Sequence, residues 1–380
     1  MAKESNPSSF IPRFDYRRGL SLVRSEINDA LARVLDSGQL ILGPEVAAFE
    51  KEFATFLKTD HAIGVASGTD AITLALRSIG VERGDEVITS ANGCSPTVAA
   101  ILATGAKPVF VDVMSDTLQI DSREVKAAIS EKTRAIVCVH LHGAPAEITA
   151  LLEIARELGL FVIEDCAQAF GAKHGSGFLG TFGHVGCFSF YPTKPLGAFG
   201  DGGMCITRDA SLANAIRSDR TYGYQGEPVS KSVGCNSRLD EMQAAVLRVK
   251  LKRAAGDLVR RDCIAKQYQS QLAGSGLRLP VVSPNNQHAW HQYVVRTNNR
   301  DALQRFLRKS QIETGIHYAI PLHQMPAYRQ YAPLQSLPVT ERSCGESLSL
   351  PMFSELTTAE VDRVIAVLCD GLTKEGNGLR

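Results

Sequence analysis

The stretch that decides the fold is Phe188-Ser189-Phe190-Tyr191-Pro192-Thr193-Lys194, which runs on into Pro195-Leu196-Gly197-Ala198-Phe199-Gly200-Asp201-Gly202-Gly203. Val185 to Tyr191 has the β-branched and aromatic content of a buried strand. Pro192 stops that strand, and Pro195 keeps Lys194 out of the α region, so the lysine falls on an irregular turn at a strand end. Most lysines on turns are solvated surface groups. One held at the edge of a buried strand is different, because burial disfavours its charged form and yields a neutral amine.

Outward from this stretch, residues 60 to 210 alternate short apolar runs with helical patterns. Ala62–Ala66, Glu86–Thr89, Pro108–Val113, Ala135–Leu141, Leu160–Glu164, Cys187–Tyr191 and Met204–Thr207 read as strands. Thr69–Ser78, Pro96–Thr104, Ser122–Ile129 and Ala146–Leu158 read as helices between them. That alternation predicts an α/β fold: a mainly parallel sheet covered by helices on both faces, with ligands outside the carboxyl ends of the strands. Leu20 to Leu57 carries two amphipathic helical patterns around Gly43-Pro44. Past Asn236-Ser237-Arg238-Leu239-Asp240, one long helical pattern runs from Glu241 to about Ala273, its charges along one side as in a linker helix. The expected division is a large domain over 1–250, with the N-terminal arm and helices, and a smaller α+β domain over 251–380. The latter holds a strand at His291–Thr297 and helices at Asp301–Lys309 and Thr358–Leu372.

Composition bounds the function. The chain has 380 residues, 44% hydrophobic and 21% charged, as in an ordinary globular protein. A net charge of +1 gives no ground for a nucleic-acid or acidic-membrane partner. No apolar run approaches the roughly 20 residues needed to span a bilayer, and Met1 to Asp15 lacks a signal-peptide core. The nine cysteines form no CxxC pair and read as reduced thiols of a cytoplasmic protein. No metal-ligand spacing occurs, and His140-x-His142 stands without a partner cluster.

Four segments at predicted strand ends carry the chemistry. Ser67-Gly68-Thr69-Asp70, between a strand and a helix, suits a phosphate at a helix N-terminus, although it is equally an ordinary N-cap. Asp165 in Glu164-Asp165-Cys166-Ala167-Gln168 is a carboxylate at a buried strand end; loop amides or a cation must satisfy it, and a pyridinium N–H is such a cation. The third segment brings Lys194, whose neutral amine is what a Schiff base with an aldehyde cofactor requires, with Ser189 and Tyr191 beside it. The fourth, Asn236 to Asp240, opens the long helix. Gly175-Ser176-Gly177-Phe178-Leu179-Gly180 fits the G-x-G-x-x-G pattern, but no strand runs into it and no helix follows, so it reads as a tight hairpin.

Together these residues resemble the DegT/DnrJ/EryC1/StrS family of sugar aminotransferases, pyridoxal 5'-phosphate enzymes of fold type I. The resemblance begins at Gly38-Gln39-Leu40-Ile41-Leu42-Gly43-Pro44. It continues through Gly84-Asp85-Glu86-Val87-Ile88, Val109-Phe110-Val111-Asp112 and Val139-His140-Leu141-His142-Gly143. It ends with His317-Tyr318, Pro321-Leu322-His323 and Leu348-Ser349-Leu350-Pro351. It implies an aspartate-aminotransferase-like fold with a seven-stranded sheet, and roles residue by residue. Lys194 would be the Schiff-base lysine and proton carrier, and Asp165 the partner of the pyridine nitrogen. Gln168 would neighbour the phenolic oxygen, while Gly68, Thr69 and Ser189 would cradle the phosphate. Asn236 would reach the phosphate of the neighbouring subunit's cofactor, which makes the enzyme a homodimer. Tyr191, Tyr222, His317 and Tyr318 would line the sugar pocket.

Two positions depart from the family pattern. Asn92-Gly93-Cys94 puts Cys94 where the family usually stacks an aromatic on the cofactor ring, and Pro195 replaces the usual Asn after the lysine. The resemblance implies transfer of an amino group from L-glutamate through the pyridoxamine 5'-phosphate form. The acceptor would be a nucleotide-linked keto-sugar. The run Phe190-Tyr191-Pro192-Thr193-Lys194-x-Leu196-Gly197 is most similar to members that aminate C3 of dTDP-3-keto-6-deoxyhexoses. Alternatives are amination at C4, a cyclitol ketone as substrate, or a non-catalytic regulatory protein of the same fold. The dehydratase branch, which has histidine at the lysine position, is opposed by Lys194.

Overall fold

The computed structural model describes residues 10–376; the signal-peptide reading of residues 1–9 lies outside them. The chain opens with α1 (Tyr16–Ser37) and α2 (Pro44–Leu57). Then come β1 (His61–Val65), α3 (Gly68–Ser78), β2 (Glu86–Ser90), α4 (Ser95–Ala103) and β3 (Lys107–Val111). Next are α5 (Ser122–Ala128), β4 (Thr133–Val139), α6 (Ile148–Leu158) and β5 (Phe161–Asp165). A short hairpin, β6 (Lys173–His174) and β7 (Gly177–Phe178), precedes β8 (Val185–Ser189), β9 (Gly203–Thr207) and α7 (Ala210–Asp219). A second hairpin, β10 (Tyr224–Gln225) and β11 (Glu227–Ser230), leads to α8 (Glu241–Leu251) and α9 (Ala254–Gln271). The chain finishes with β12 (Asn286–Gln287), β13 (Tyr293–Arg296), α10 (Arg300–Lys309), α11 (Pro338–Glu346), β14 (Ser347–Leu350) and α12 (Thr358–Gly376).

Seven strands form one sheet in the order β1-β9-β8-β5-β4-β2-β3. β2, β3, β4, β5 and β8 pair in parallel, whereas β9 runs antiparallel to both β8 and β1. Six strands therefore point the same way, and their carboxyl ends gather on one edge. Each predicted strand is present, within two residues at either end. β8 stops at Ser189, so Phe190 and Tyr191 already belong to the lysine loop. Helices cover both faces. α3, whose Ser67 N-cap accepts from the Asp70 amide at 3.1 Å, buries Ala71, Ile72, Leu74, Ala75 and Leu76 against one of them. α6 closes the other with Ile148, Leu151 and Ala155.

The Gly43-Pro44 junction is a helix start, and its cap comes from far along the chain. The Glu241 carboxylate accepts from the amides of Gly43 at 2.9 Å, Glu45 at 2.8 Å and Val46 at 2.8 Å. Those are the orphan donors of the first turn of α2, and a negative charge there also meets the positive end of the helix.

The single helix expected from Glu241 to about Ala273 is instead two. α8 ends at Leu251 with Lys252 as its C-cap, and Arg253, at φ −96 and ψ −13, is the N-cap of α9. The charges of this segment suggest a solvated linker, but α8 buries Ala244, Ala245, Val246, Leu247 and Val249. It packs against α1 and α2 on one side and the sheet-side core on the other. α9 then turns away to bury Ile264, Ala265 and Tyr268 in a separate apolar core. That second core also takes Tyr293, Val295, Leu348, Leu350 and the apolar stripe of α12, with Ile11 reaching in from the N-terminal arm. The glycine-rich decoy is a hairpin: Lys173 pairs with Phe178 and His174 with Gly177, and Gly175 takes φ 57 in the turn. Among the described residues no helix is long and apolar enough to cross a membrane.

Candidate active site

The site forms where β1, β2, β4, β5 and β8 end. β5 delivers Asp165 at its last position, with 5% of its surface exposed. Its Oδ2 accepts from Thr97 Oγ1 at 2.7 Å and its Oδ1 from the Ala167 amide at 3.0 Å. Both partners are uncharged, so a buried carboxylate is held in place with its charge uncompensated by them. Thr97 stands in the first turn of α4, a position that no motif marks.

Three residues on, Gln168 is buried with both ends of its amide engaged. Oε1 accepts from the His142 amide at 2.7 Å, and Nε2 donates to the Tyr318 hydroxyl at 3.1 Å. His142 also pairs through Nε2 with the His317 carbonyl at 3.1 Å. His140 and His142, which the sequence leaves without a metal-ligand cluster, are tied by hydrogen bonds to distant segments. The strand-to-loop run is a structural hub that a single sequence could not reveal, because its partners lie in distant segments. His140 contacts the Glu164 carboxylate at 3.0 Å. His140, Glu164 and Cys166 also bring three possible ligand atoms within 4.8 Å. The same Glu164 oxygens accept from the amides of Gly180 at 2.8 Å, Phe182 at 2.9 Å and Gly183 at 2.7 Å. Those bonds make Glu164 an anchor for the loop before β8 and leave it little capacity for an ion.

Lys194 is partly buried on the loop after β8. Burial pushes its ammonium below the ordinary lysine value, against the pull of the nearby Cys94 and Asp165. Its amide donates to the Tyr191 carbonyl at 2.8 Å, which closes the tight turn that Pro192 and Pro195 predict. Cys94, the N-cap of α4, faces the same space: burial raises its thiol, as does Asp165, and its side chain shares a hydrogen bond with Tyr318. Burial likewise pushes the Tyr318 hydroxyl upward, so it stays protonated. His142 is pushed down to about 4 and His317 to about 3, each chiefly by burial, which leaves both imidazoles neutral. His291, which the sequence reading also passed over, is buried close enough to Lys194 to be held neutral, chiefly by burial.

The predicted phosphate turn is compact. A Cβ at Gly68 would stand 2.7 Å from the Ser189 Cβ, so only glycine lets the end of β8 approach the first turn of α3. Thr69 follows in that first turn with its backbone free of any cap by Ser67, whose hydroxyl is taken by Asp70. Ser237 Oγ donates to Asp70 Oδ2 at 2.7 Å and accepts from the Ala66 amide at 3.1 Å, tying the Asn236 segment to this turn.

Asp165, Gln168, Lys194, Cys94, His317 and Tyr318 thus converge, with Gly68, Thr69 and Ser189 beside them. Three predicted residues stand apart from this cluster. Tyr191 is 52% exposed at the rim, and Tyr222 is 42% exposed with its ring against Tyr224. Asn236 is exposed and bridges Thr221. The sequence could not distinguish these from the cluster, since exposure is a property of the folded chain.

The model of the DegT/DnrJ/EryC1/StrS aminotransferase family matches residues 22–369. A dTDP-3-amino-3,4,6-trideoxy-alpha-D-glucose transaminase of Streptomyces venezuelae is 44% identical over 357 residues, 93% of this chain and 94% of that protein. The crystal structure of S. venezuelae DesV in complex with a ketimine intermediate superposes with a TM-score of 0.94 at 44% identity, covering 96% of this chain and 98% of that one. NtdA from Bacillus subtilis, with bound cofactor PMP, superposes with a TM-score of 0.91 at 29% identity, covering 98% of this chain and 87% of that one. With this fold and this match along nearly its whole length, the chain belongs to the DegT/DnrJ/EryC1/StrS aminotransferase family, as a pyridoxal-phosphate-dependent sugar aminotransferase.

Proposed function

We propose that this enzyme moves an amino group from L-glutamate to C3 of a dTDP-linked 3-keto-6-deoxyhexose, giving a dTDP-3-amino-3,6-dideoxyhexose, and does so as a homodimer. The observation that carries the catalytic part is Lys194, partly buried with its ammonium depressed, facing the Asp165 carboxylate across the strand ends. The C3 assignment draws support from the lysine run and from the Streptomyces relative, named for a 3-amino sugar.

The residues fit pyridoxal phosphate. Gly68 leaves a cradle between Ser189 and the first turn of α3, where backbone amides suit a phosphate. Asp165 is a buried carboxylate with two neutral partners, which suits a protonated ring nitrogen. When bound, the cofactor supplies an electron sink that stabilises negative charge at the carbon bearing the amine. Lys194 would hold the cofactor through its amine and, with that amine free, would hold and move the proton at the substrate carbon. Burial, which lowers its ammonium, favours the neutral amine able to accept that proton. Asp165 would keep the ring nitrogen protonated, and Thr97 holds Asp165 in line. Gln168, fixed at both ends by His142 and Tyr318, presents its amide to the phenolic oxygen. Gly68, Thr69 and Ser189 hold the phosphate.

Asn236 is read as reaching the partner subunit's phosphate; its exposure supports this. Tyr191, Tyr222, His317 and Tyr318 are read as lining the sugar pocket. The division into 1–250 and 251–380 is supported by the two apolar cores and the turn at Arg253. Nine free cysteines suit a cytoplasmic enzyme.

The decisive experiment incubates the purified protein with glutamate and a panel of nucleotide keto-sugars, and identifies products by mass spectrometry and NMR. A C3-aminated dTDP-6-deoxyhexose is expected. Amination only at C4, or only of a cyclitol ketone, would overturn the substrate assignment, and no turnover with any acceptor would favour a regulatory protein of this fold.

A further inference from the structure

The lysine loop is held from outside by one face of α8. Leu196 and Ala198 are buried in the core beneath it, and within the loop the Ala198 amide donates to the Phe190 carbonyl at 2.7 Å. Pro195 contributes no N–H, so the backbone from Lys194 to Gly197 has one donor fewer for fixing itself. Two side chains of α8 make the outside contacts. Gln243 Oε1 accepts from the Phe199 amide at 2.8 Å, and Lys250 Nζ donates to the Gly197 carbonyl. The Lys250 ammonium also lies 5.5 Å from the centre of the Phe199 ring. Gln243 and Lys250 are two turns apart, on the same side of the helix.

Gly197 is where that grip reaches the lysine. A Cβ there would stand 2.5 Å from the Pro192 carbonyl oxygen, so the far arm of the loop lies against the residue that opens the lysine turn. A shift of Gly197 therefore bears directly on Pro192 to Lys194. On the other side of Lys250 is a cavity of about 60 Å³, shared with Lys194, Pro195 and Phe199. Charged groups enter it from every neighbouring element: Asp15 from the start of α1, Arg253, Asp257 and Arg261 at α9, and Glu355 from the loop before α12. Asp257 and Glu355 favour the Lys250 ammonium and Arg261 opposes it.

We infer that Gln243 and Lys250 are positioning residues, which clamp the loop from Gly197 to Phe199 and so fix where Lys194 points. This rests on the reading of Lys194 as the cofactor lysine. A charge buried beside an apolar core for no purpose would be costly; here it is aimed at a backbone carbonyl of the one loop whose geometry the chemistry needs.

The test uses the full-length protein and variants Lys250→Met, Lys250→Arg, Gln243→Leu and Gln243→Glu. Amide hydrogen exchange over residues 196–200 is measured in the cofactor-free protein, and the visible absorption of the lysine-bound cofactor is titrated with pH in the loaded one. Lys250→Met and Gln243→Leu are each expected to speed exchange in this loop by about tenfold or more, with β4 and β5 unchanged. Both should also displace the midpoint of the absorption titration, while Lys250→Arg and Gln243→Glu, which keep the donor or acceptor, restore both readouts. Unchanged loop exchange, or faster exchange spread equally through the sheet, would overturn the clamp. Borohydride fixation of the cofactor on a lysine other than Lys194 would instead overturn the reading of Lys194, whatever the exchange shows. If Lys250→Met does not fold, the Gln243 pair decides alone.

Discussion

Thr97 Oγ1 donates to Asp165 Oδ2 at 2.7 Å, linking the first turn of α4 to the last residue of β5. That bond sets the orientation of a buried carboxylate, and its loss separates charge from orientation. Asp165→Asn removes the charge that keeps the ring nitrogen protonated, and turnover should fall by about 100-fold or more. Thr97→Val keeps the charge and should cost less, about tenfold in kcat/KM, the low end for a hydrogen bond to a charged group. Steady-state kinetics on both variants, with cofactor occupancy measured by absorbance, checks the order; equal losses would contradict it.

Gln168 depends on Tyr318 for the fixed end of its amide. Tyr318→Phe should leave the fold intact and lower kcat/KM by about tenfold, since one neutral hydrogen bond contributes roughly 0.5–1.5 kcal/mol. The Cys94 thiol loses a partner at the same time. Its alkylation rate, measured with a thiol reagent in the cofactor-free protein, should change in this variant and stay constant in Tyr191→Phe, whose ring is at the rim.

Glu241 stabilises α2 from nearly 200 residues away in sequence. Glu241→Ala leaves three amides of a helix start without an acceptor, and unfolding free energy should fall by about 2–4 kcal/mol. The midpoint of urea denaturation measures this. Glu241→Gln, which keeps one acceptor oxygen, should lose less; a larger loss in Gln than in Ala would refute the capping role.

Lys250 is lowered from the lysine value of 10.5 to about 8, chiefly by burial. Its folded pKa lies below its unfolded one, so between about pH 8 and 10.5 the unfolded chain binds more protons. Its contribution to stability therefore rises with pH through that window and is least below pH 8. Melting temperatures taken from pH 7.5 to 10 should show a wild-type slope more positive than that of Lys250→Met. The variant should also gain stability relative to wild type at neutral pH while losing turnover, the exchange expected where a costly charge serves a site. Parallel slopes would contradict the assignment.

The order of the sheet-forming segments was legible along the chain, because β-branched runs such as Ala135 to Val139 and helical stripes such as that of α3 carry their periods locally. The lysine turn was legible too, since two prolines around Thr193-Lys194 restrict the backbone whatever surrounds them, as was the Gly175 hairpin. Relations across sequence distance were visible only once the chain was folded. Glu241 capping α2, Thr97 fixing Asp165, His142 and Tyr318 gripping Gln168, and α8 gripping the lysine loop all join residues with no shared local pattern. The helix break at Arg253 belongs with them. Local propensity favours one continuous helix from Glu241, and the segment divides because its two halves bury their apolar faces in different cores. Burial, which moves the Lys194 amine towards neutrality, is likewise a property of the assembled strand ends rather than of the heptapeptide that carries it.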